Sequence, residues 1–260
     1  ARDRLGAVNS DVTLDARVED LNWDNARTLL EGIDLFLDGT DNFDTRYVLN
    51  DLSIETSIPW IYGACVGSYG LVLPVLRGAR KTPCLRCVLG DAPPAGSSPT
   101  CDTAGVIAPI VQVIAGLQGA EALKILSGHP EAVSVGLVSI DVWSSQFDRI
   151  DLSRTEPSCD ACVSGVFLTR EQSAGEAFLC GRDAVQIKPR EDTVRLDLDA
   201  VALRLGDRGT LRRSEFMLRA TIMDGGRQYS LSLFPDGRAI VHGTGDTAVA
   251  RSLYAKYVGA

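Results

Sequence analysis

The chain has 260 residues, with 26 Lys or Arg against 34 Asp or Glu, and its formal net charge is −8. This acidic balance excludes a nucleic-acid binder that works by bulk electrostatics. No apolar run comes near the roughly 20 residues that a membrane-spanning helix needs, and the first residues lack the apolar stretch of a signal peptide. We therefore expect a cytoplasmic protein that binds neither nucleic acid nor membrane.

Strands and helices alternate along residues 1–165. The apolar run 33–38 predicts a short buried parallel strand with functional residues at its C-terminal end. Small residues in a long apolar helix at 106–126 indicate that this helix is deeply buried. The alternation predicts an α/β fold with an open, mostly parallel, Rossmann-like sheet. The other predicted helices lie at 1–8, 24–31 and 45–55, and the other strands at 11–18, 60–64, 70–76, 133–141 and 147–152.

The pattern changes near residue 165, which we predict as a domain boundary. Residues 166–260 have enough apolar periodicity for a core of their own and predict a small α+β domain. Its predicted strands and helices lie at 184–187, 198–205, 216–223, 229–233, 239–242 and 247–258. We find no clustered His, Cys or carboxylate set there, and we expect its one cysteine, Cys180, to be structural.

Two Cys-x-x-Cys pairs are the strongest local signal. Cys84 and Cys87 form the first pair, and Cys159 and Cys162 form the second. Four thiolates suit a tetrahedral structural Zn²⁺ ion, and paired cysteines in a cytosolic chain indicate metal binding or redox chemistry instead of disulfides. We predict a zinc site that ties two distant loops together; two unrelated redox pairs are the alternative.

A second signal is the segment 38–46, Asp-Gly-Thr-Asp-Asn-Phe-Asp-Thr-Arg, between a predicted strand and helix. Acidic residues at the carboxyl edge of a parallel sheet can meet Mg²⁺ and nucleotide phosphates. Asn42 can cap the helix or bind a ligand, and Arg46 lies one turn later, where it could reach an anion. A simple helix-capping turn explains the segment equally well.

A third signal is Cys101, which lies shortly before the long apolar helix. A thiol at a helix N-terminus is a better nucleophile because the helix dipole favours its thiolate. A buried, inert cysteine is the alternative. Cys65 follows a buried strand and is interpreted as a core residue.

Together, the order of these motifs resembles the ThiF/MoeB family of ubiquitin-activating-type adenylyltransferases. The resemblance covers residues 1 to about 163, with Asp-x-Thr-Asp-Asn at 38–42, Cys-x-x-Ala-Gly-Val at 101–106 and Gln-Gly-Ala-Glu-Ala-Leu-Lys at 118–124 as its distinctive parts. It implies ATP-dependent adenylation of the C-terminal glycine of a ubiquitin-like sulfur-carrier protein in thiamine, molybdenum-cofactor or related sulfur transfer.

The resemblance also implies site residues and partners. Asp41 would bind Mg²⁺-ATP with Asn42 and Arg46 beside it, and Cys101 would match the cysteine that in some members joins the carrier through a persulfide. The implied partners are the carrier, a cysteine desulfurase and a second copy of the chain. We expect residues 166–260 to modulate partner choice and to take no part in adenylation.

One departure from the family pattern concerns ATP. The family's Gly-x-Gly-x-x-Gly phosphate loop and the acidic, arginine and lysine residues that follow it have no match in these 260 residues. We expect the full-length protein to be the active adenylyltransferase and this chain alone to be inactive. Two other functions stay open: a modifier activator with a thioester at Cys101, and a zinc-stabilised carrier-binding module without ATP chemistry.

Overall fold

Two β-sheets with helices packed on them make up the fold. The computed structural model describes residues 1–78, 81–93, 101–172, 177–179, 183–187 and 195–259. The first sheet has its strands in chain order: Phe36–Leu37 (β1), Trp60–Val66 (β2), Tyr69–Val75 (β3), Gly136–Asp141 (β4) and Gln146–Asp151 (β5). The helices around it are Arg2–Val8 (α1), Trp23–Leu29 (α2), Phe43–Thr56 (α3), Leu85–Leu89 (α4), Cys101–Ala104 (α5), Ala108–Leu126 (α6), Asp160–Ser164 (α7) and Leu168–Gln172 (α8).

The α/β class is confirmed, but the first sheet is mixed instead of mostly parallel. Among the strands that the structure describes, β1 and β2 pair in parallel, whereas the next three pairs are antiparallel. Only residues 67–68 separate β2 from β3, and so short a connection joins antiparallel strands because a parallel pair needs a long crossover. The prediction of a mostly parallel sheet was wrong because it assumed helical crossovers between the strands. The chain instead forms the β2–β3 hairpin before α6 and the β4–β5 hairpin after it.

The predicted strand at 11–18 is absent from the structure. This segment runs as irregular chain, and Val12 and Val18 are 54% and 47% exposed. A strand is stable only when a neighbour satisfies its backbone N–H and C=O groups. No described strand lies beside residues 11–18, so the alternating sequence alone does not produce a strand there.

The first sheet is covered on both faces. Successive side chains of β2 point to opposite faces, and each face packs against different helices. Trp60 and Tyr62 pack in the cluster beneath α3 and α4, whereas Ile61 packs against Ile110 and Ile114 of α6. The close approach of α6 requires small residues on the strands. A Cβ atom at Gly70 would lie 2.5 Å from Ile114 Cγ1.

The prediction that α6 is deeply buried was wrong for its outer side. Leu123 and Leu126 are 70% and 60% exposed, and only one side of the helix packs against β2 and β3. The 19 residues of α6 also meet the length and hydropathy of a possible membrane span, contrary to the sequence-based estimate. Such an apolar helix is common in the cores of soluble proteins, so this match is weak evidence for a membrane.

The second sheet is wholly antiparallel within the strands that the structure describes, in the order β6-β7-β11-β10-β9-β8. Residues of α9 and α10 pack in one apolar cluster with the strands. The predicted elements are present, β6 and β8 were not predicted, and Cys180 lies outside the described residues. The elements are Ala177–Leu179 (β6), Ala184–Ile187 (β7), Leu198–Leu205 (α9), Gly209–Arg213 (β8), Leu218–Asp224 (β9), Arg227–Leu233 (β10), Ala239–His242 (β11) and Thr247–Tyr257 (α10).

Candidate active site and thiol cluster

A buried ion pair organises the turn between β1 and α3. Asp38 is 2% exposed, and its Oδ2 accepts a hydrogen bond from Arg46 Nε at 3.2 Å. Its Oδ1 accepts two more, from the backbone N–H and the hydroxyl of Thr40 at 2.8 and 2.7 Å. Breaking such a pair leaves an uncompensated buried charge, so it fixes the shape of the turn.

The Arg46 guanidinium makes several contacts inside the protein, and its predicted role beside bound nucleotide stays a prediction. Its guanidinium also donates from Nη2 to the carbonyls of Thr40 and Gly63, at 2.6 and 3.4 Å. It lies 5.4 Å from the ring centre of Tyr62, a cation–π distance. Because Nε and Nη2 both donate inside the protein, Arg46 positions the turn.

Asp41 and Asn42 lie on the open side of this turn. Asn42 is the N-cap of α3, and its Oδ1 accepts a hydrogen bond from the backbone N–H of Thr45 at 2.8 Å. The Asn42 amide also donates to Asp41 Oδ1 at 3.4 Å, and the Asp41 side chain is exposed. The capping and ligand-binding interpretations of this segment are thus compatible, because Asn42 caps the helix while Asp41 faces solvent.

Gln118 of α6 holds the ends of β1 and β2 together from the other face of the sheet. Its Nε2 donates to the carbonyls of Asp38 and Ile61, both at 2.9 Å. A Cβ atom at Gly63 would lie 2.5 Å from the Gln118 side chain, so glycine makes room for this amide. The sequence marked Gln118 only as part of a motif, and nothing in its spacing signalled this contact.

Cys101 lies shortly before the long helix, as the sequence predicted, but it is not part of a loop that leads directly into that helix. It begins the four-residue helix α5, and α6 starts only at Ala108. Gly105 has φ +74°, a left-handed conformation suited to glycine, and it ends α5. Cys101 is thus separated from the N-terminus of α6 by α5 and Gly105, and an activated thiol stays a prediction.

The Cys101 thiol lies instead against the end of β2. Its Sγ is 3.1 Å from the carbonyl oxygen of Cys65, to which it donates. Backbone hydrogen bonds fix the loop after α5 to the same point: Gly67 N–H donates to Gly105 O at 2.8 Å, and Ile107 N–H donates to Gly67 O at 2.9 Å. Cys65 and Cys101 are both partly buried residues.

The structure brings the two Cys-x-x-Cys pairs together. The Sγ atoms of Cys84, Cys87, Cys159 and Cys162 all lie within 4.8 Å of one another. The Sγ–Sγ distances are 3.7 Å for Cys84–Cys87, 3.5 Å for Cys84–Cys159 and 3.9 Å for Cys87–Cys162. A tetrahedron with metal–sulfur bonds of about 2.3 Å has edges of about 3.8 Å. The cluster could therefore hold a metal ion such as zinc.

The pKa shifts of these thiols show a charge conflict that a cation would relieve. Hydrogen bonding with Cys162 and Cys84 lowers the pKa of the Cys87 thiol. Burial raises the pKa of Cys159 to about 12, and hydrogen bonds with Cys84 and Cys87 raise that of Cys162. A thiolate is thus favoured at Cys87 and disfavoured at Cys159 and Cys162, whereas a divalent cation favours all four thiolates.

Polar contacts connect the thiol cluster to α3. Asn50 Oδ1 accepts a hydrogen bond from the Leu85 N–H at 2.8 Å, inside the first pair of cysteines. Asp51 is fully buried, and its Oδ2 accepts from the Thr169 hydroxyl of α8 at 2.8 Å and lies 3.6 Å from Arg86 Nη2. The helix that presents Asp41 at its start is therefore fixed to the cluster near its end.

The profile of the ThiF family matches residues 1–161. The chain belongs to the ThiF family. This ThiF-family chain is 40% identical over 265 residues to the sulfur carrier protein ThiS adenylyltransferase of Bacillus subtilis, a match that covers 100% of the chain and 75% of the relative. It is 35% identical over 166 residues to the sulfur carrier protein adenylyltransferase of Thermus thermophilus, covering 62% of the chain and 60% of that protein.

Solved structures are more distant. The crystal structure of E. coli MccB with MccA-N7isoASN has a TM-score of 0.49 and 18% identity, and it covers 62% of this chain and 49% of that chain. The family assignment rests on the sequence matches. The family match ends at residue 161, and the domain boundary at 165 stays a prediction.

Proposed function

We propose that the protein containing this chain adenylates the C-terminal carboxylate of a ubiquitin-like sulfur-carrier protein. The observation that carries this proposal is the 40% identity to a ThiS adenylyltransferase across the whole chain. The exposed Asp41 just before α3 and the Cys101 thiol supply residue types that the reaction needs. A desulfurase partner, a homodimer and a cytoplasmic location remain predictions.

Asp41 and Asn42 would hold Mg²⁺ and ATP. The fit is chemical: the exposed Asp41 carboxylate offers the oxygen ligands that Mg²⁺ prefers, the ion usually keeps several waters besides one or two carboxylates, and the Asn42 amide that faces Asp41 can donate to a phosphate oxygen. When bound, Mg²⁺ neutralises charge that develops on the phosphates. Asp38, Thr40 and Arg46 keep this turn in shape, which spares the reaction the cost of ordering it.

Adenylation makes the carrier's carboxylate reactive. The carboxylate attacks the α-phosphate of ATP, so that a carboxyl–phosphate bond forms and pyrophosphate leaves. The acyl group of the resulting acyl-adenylate is then open to a sulfur nucleophile. We assign that role to Cys101, which carries a persulfide sulfur delivered by a desulfurase.

The four cysteines of the cluster would hold Zn²⁺ as a structural ion. Four protein thiolates leave no open position for substrate, which is typical of structural and not of catalytic zinc. The ion would lock the segment after β5 onto α4, and through Asn50 it would support α3.

Carrier-dependent exchange of pyrophosphate into ATP tests the proposal. The full-length protein should catalyse exchange when a sulfur carrier is present, and removal of the carrier's final glycine should abolish it. Exchange that does not depend on the carrier, or none with any sulfur carrier, would contradict the proposal. A carrier held as a thioester on Cys101 without added sulfur would favour a modifier activator.

A further inference from the structure

We propose that Cys65 is the resolving thiol of this site, which releases the carrier's thiocarboxylate from Cys101 after sulfur transfer. The inference rests on the proposed function, because it requires a carrier joined to Cys101. It assigns chemistry to a cysteine that the sequence suggested was merely part of the core.

The fold brings the Cys101 thiol to the backbone of the residue that carries the second thiol. Along β2, Ile61, Gly63 and Cys65 share the face that packs against α6, and Cys65 packs beside the apolar cluster on that face. The loop after α5 is fixed there by the hydrogen bonds between residue 67 and residues 105 and 107. Cys101 Sγ lies 3.1 Å from the carbonyl oxygen of Cys65, so the Cys101 thiol contacts the residue that would resolve it.

The charges that face Cys65 change when Cys101 reacts. Burial and the neighbouring Cys101 raise the pKa of the Cys65 thiol, whereas the Arg46 cation lowers it. Arg46 is itself paired with Asp38, which moderates its effect. Once Cys101 carries the acyl disulfide, its Sγ bears no charge that could oppose a Cys65 thiolate, while Arg46 remains nearby.

The chemistry balances in two steps. First, the terminal sulfur of the Cys101 persulfide attacks the carrier acyl-adenylate; a sulfur–acyl bond forms, and AMP leaves with its electron pair. Second, the Cys65 thiolate attacks Cys101 Sγ. The Cys65–Cys101 disulfide forms, the sulfur–sulfur bond to the acyl group breaks, and the carrier leaves as a thiocarboxylate. A cellular dithiol then reduces the disulfide to two thiols and becomes a disulfide itself.

Leaving-group chemistry explains why the resolving step would wait for the carrier. The terminal sulfur of a persulfide is readily deprotonated, and its negative charge repels an incoming thiolate. A thiocarboxylate is a weakly basic leaving group, and thiol–disulfide exchange is faster when the leaving sulfur has a lower pKa. Cys65 is therefore expected to spare the persulfide and to attack the acyl disulfide.

The first test uses dithiobis-nitrobenzoate, whose thionitrobenzoate is also a good leaving group, and needs neither ATP nor carrier. With limiting reagent, Cys101 should release a first thionitrobenzoate and Cys65 a second, and peptide mapping should find the Cys65–Cys101 disulfide. Cys65→Ser and Cys65→Ala should stop after the first release and keep the adduct on Cys101. The control Cys180→Ser removes a different thiol and should retain the second release.

The second test uses the full-length protein with carrier, ATP and a persulfide donor, without added dithiol. The wild type should release thiocarboxylate and accumulate one Cys65–Cys101 disulfide per carrier released. Cys65→Ser and Cys65→Ala should accumulate a carrier–Cys101 adduct, with release slower by about tenfold or more, which is 1.4 kcal/mol or more in the barrier. Added dithiol should free the carrier from the adduct.

Pyrophosphate exchange separates the two proposals. If exchange is normal but the Cys65 variants release thiocarboxylate as fast as the wild type, the resolving role is wrong and adenylation stands. Absence of the Cys65–Cys101 disulfide in both tests also overturns the resolving role. If carrier-dependent exchange is absent in the wild type, the proposed function fails, and the first test alone decides whether the two thiols react as a pair.

Discussion

The regions around the two sheets are stabilised in different ways. The first sheet divides its apolar residues among separate clusters, and buried polar groups such as Gln118 and Asn50 join its parts by binding distant backbone atoms. The second sheet has one apolar cluster in which both helices meet the strands, and Leu231 lies in it with no exposed surface. Buried polar contacts specify geometry, whereas an apolar cluster mainly supplies stability.

This difference indicates where chemistry is expected. The turn with Asp41 and the loop with Cys101 both depend on directional hydrogen bonds around β2, and the thiol cluster adds a third anchor through α3. Within the described part of the second region, no such convergence of reactive groups is found. Four changes test the contrast, from the largest expected effect to the smallest.

Loss of the cluster metal should have the largest effect. Cys159→Ser should prevent zinc binding and destabilise the first region, because the binding free energy of structural zinc reaches roughly 10 kcal/mol in zinc-finger peptides. Metal analysis should find about one zinc per wild-type chain, and thermal unfolding should occur at lower temperature in the variant. Cys180→Ser is the matched control. Carefully purified wild-type protein that contains neither zinc nor iron would contradict a structural metal at the four cysteines.

Loss of the exposed carboxylate at the start of α3 should affect activity more than stability. Asp41→Ala should lower carrier-dependent pyrophosphate exchange by the full-length protein about a hundredfold or more, roughly 3 kcal/mol or more in the barrier. Asp44→Ala removes another exposed carboxylate from the same turn and should have a much smaller effect. Equal rates for Asp41→Ala and wild type would exclude Asp41 as the ATP–Mg²⁺ residue.

A cavity in the second region should lower stability and leave the chemistry intact. Leu231→Ala should cost about 2–5 kcal/mol of unfolding free energy, the usual range for a buried leucine. Leu203→Ala, at an 84% exposed position of α9, should cost little. Exchange measured well below the unfolding temperature should match the wild type. A severe loss of exchange in folded Leu231→Ala protein would show that the second region takes part in adenylation.

Loss of a hydrogen bond between α3 and α8 should have the smallest effect, and its cost in unfolding free energy should depend on pH. Thr169→Val removes the hydroxyl that hydrogen-bonds to Asp51 and should cost about 1–3 kcal/mol, as for an unsatisfied buried group. Thr210→Val, at an exposed position of β8, is the control.

The sign of the pH effect follows from Asp51. Burial raises the pKa of Asp51 above its ordinary value, and the Thr169 hydrogen bond partly offsets this by favouring the charged carboxylate. The cost of Thr169→Val should therefore be full above the folded-state pKa of Asp51 and shrink as pH falls through it. Urea unfolding at several pH values measures this, and a cost that grows on acidification would contradict the assignment.

The sequence predicted local features well because local chemistry determines them. The capping residue Asn42 starts α3 close to the predicted helix, and the Cys-x-x-Cys spacing correctly indicated a four-thiol cluster. Residue spacing did not determine pairing at a distance. The hairpin after residue 66 made the sheet mixed, and residues 11–18 lacked a partner strand within the described structure.

Side-chain partners at the site could not be predicted for the same reason. Arg46 follows the acidic segment at a spacing that suits an anion ligand, yet the buried Asp38 carboxylate binds it first. The contact of Cys101 with Cys65 joins residues 36 positions apart. A cysteine inside a strand sequence gives no local signal that a second thiol packs against its carbonyl.

Intact-mass analysis of the carrier tests the central claim most directly. The full-length protein is incubated with ATP and a sulfur carrier but no sulfur source, and the carrier is analysed before the acyl-adenylate hydrolyses. The account predicts one adenylate on the carrier's C-terminal glycine, none on a carrier that lacks this glycine, and far less with Asp41→Ala. An unmodified carrier, with ATP turned over by the same protein, would contradict it.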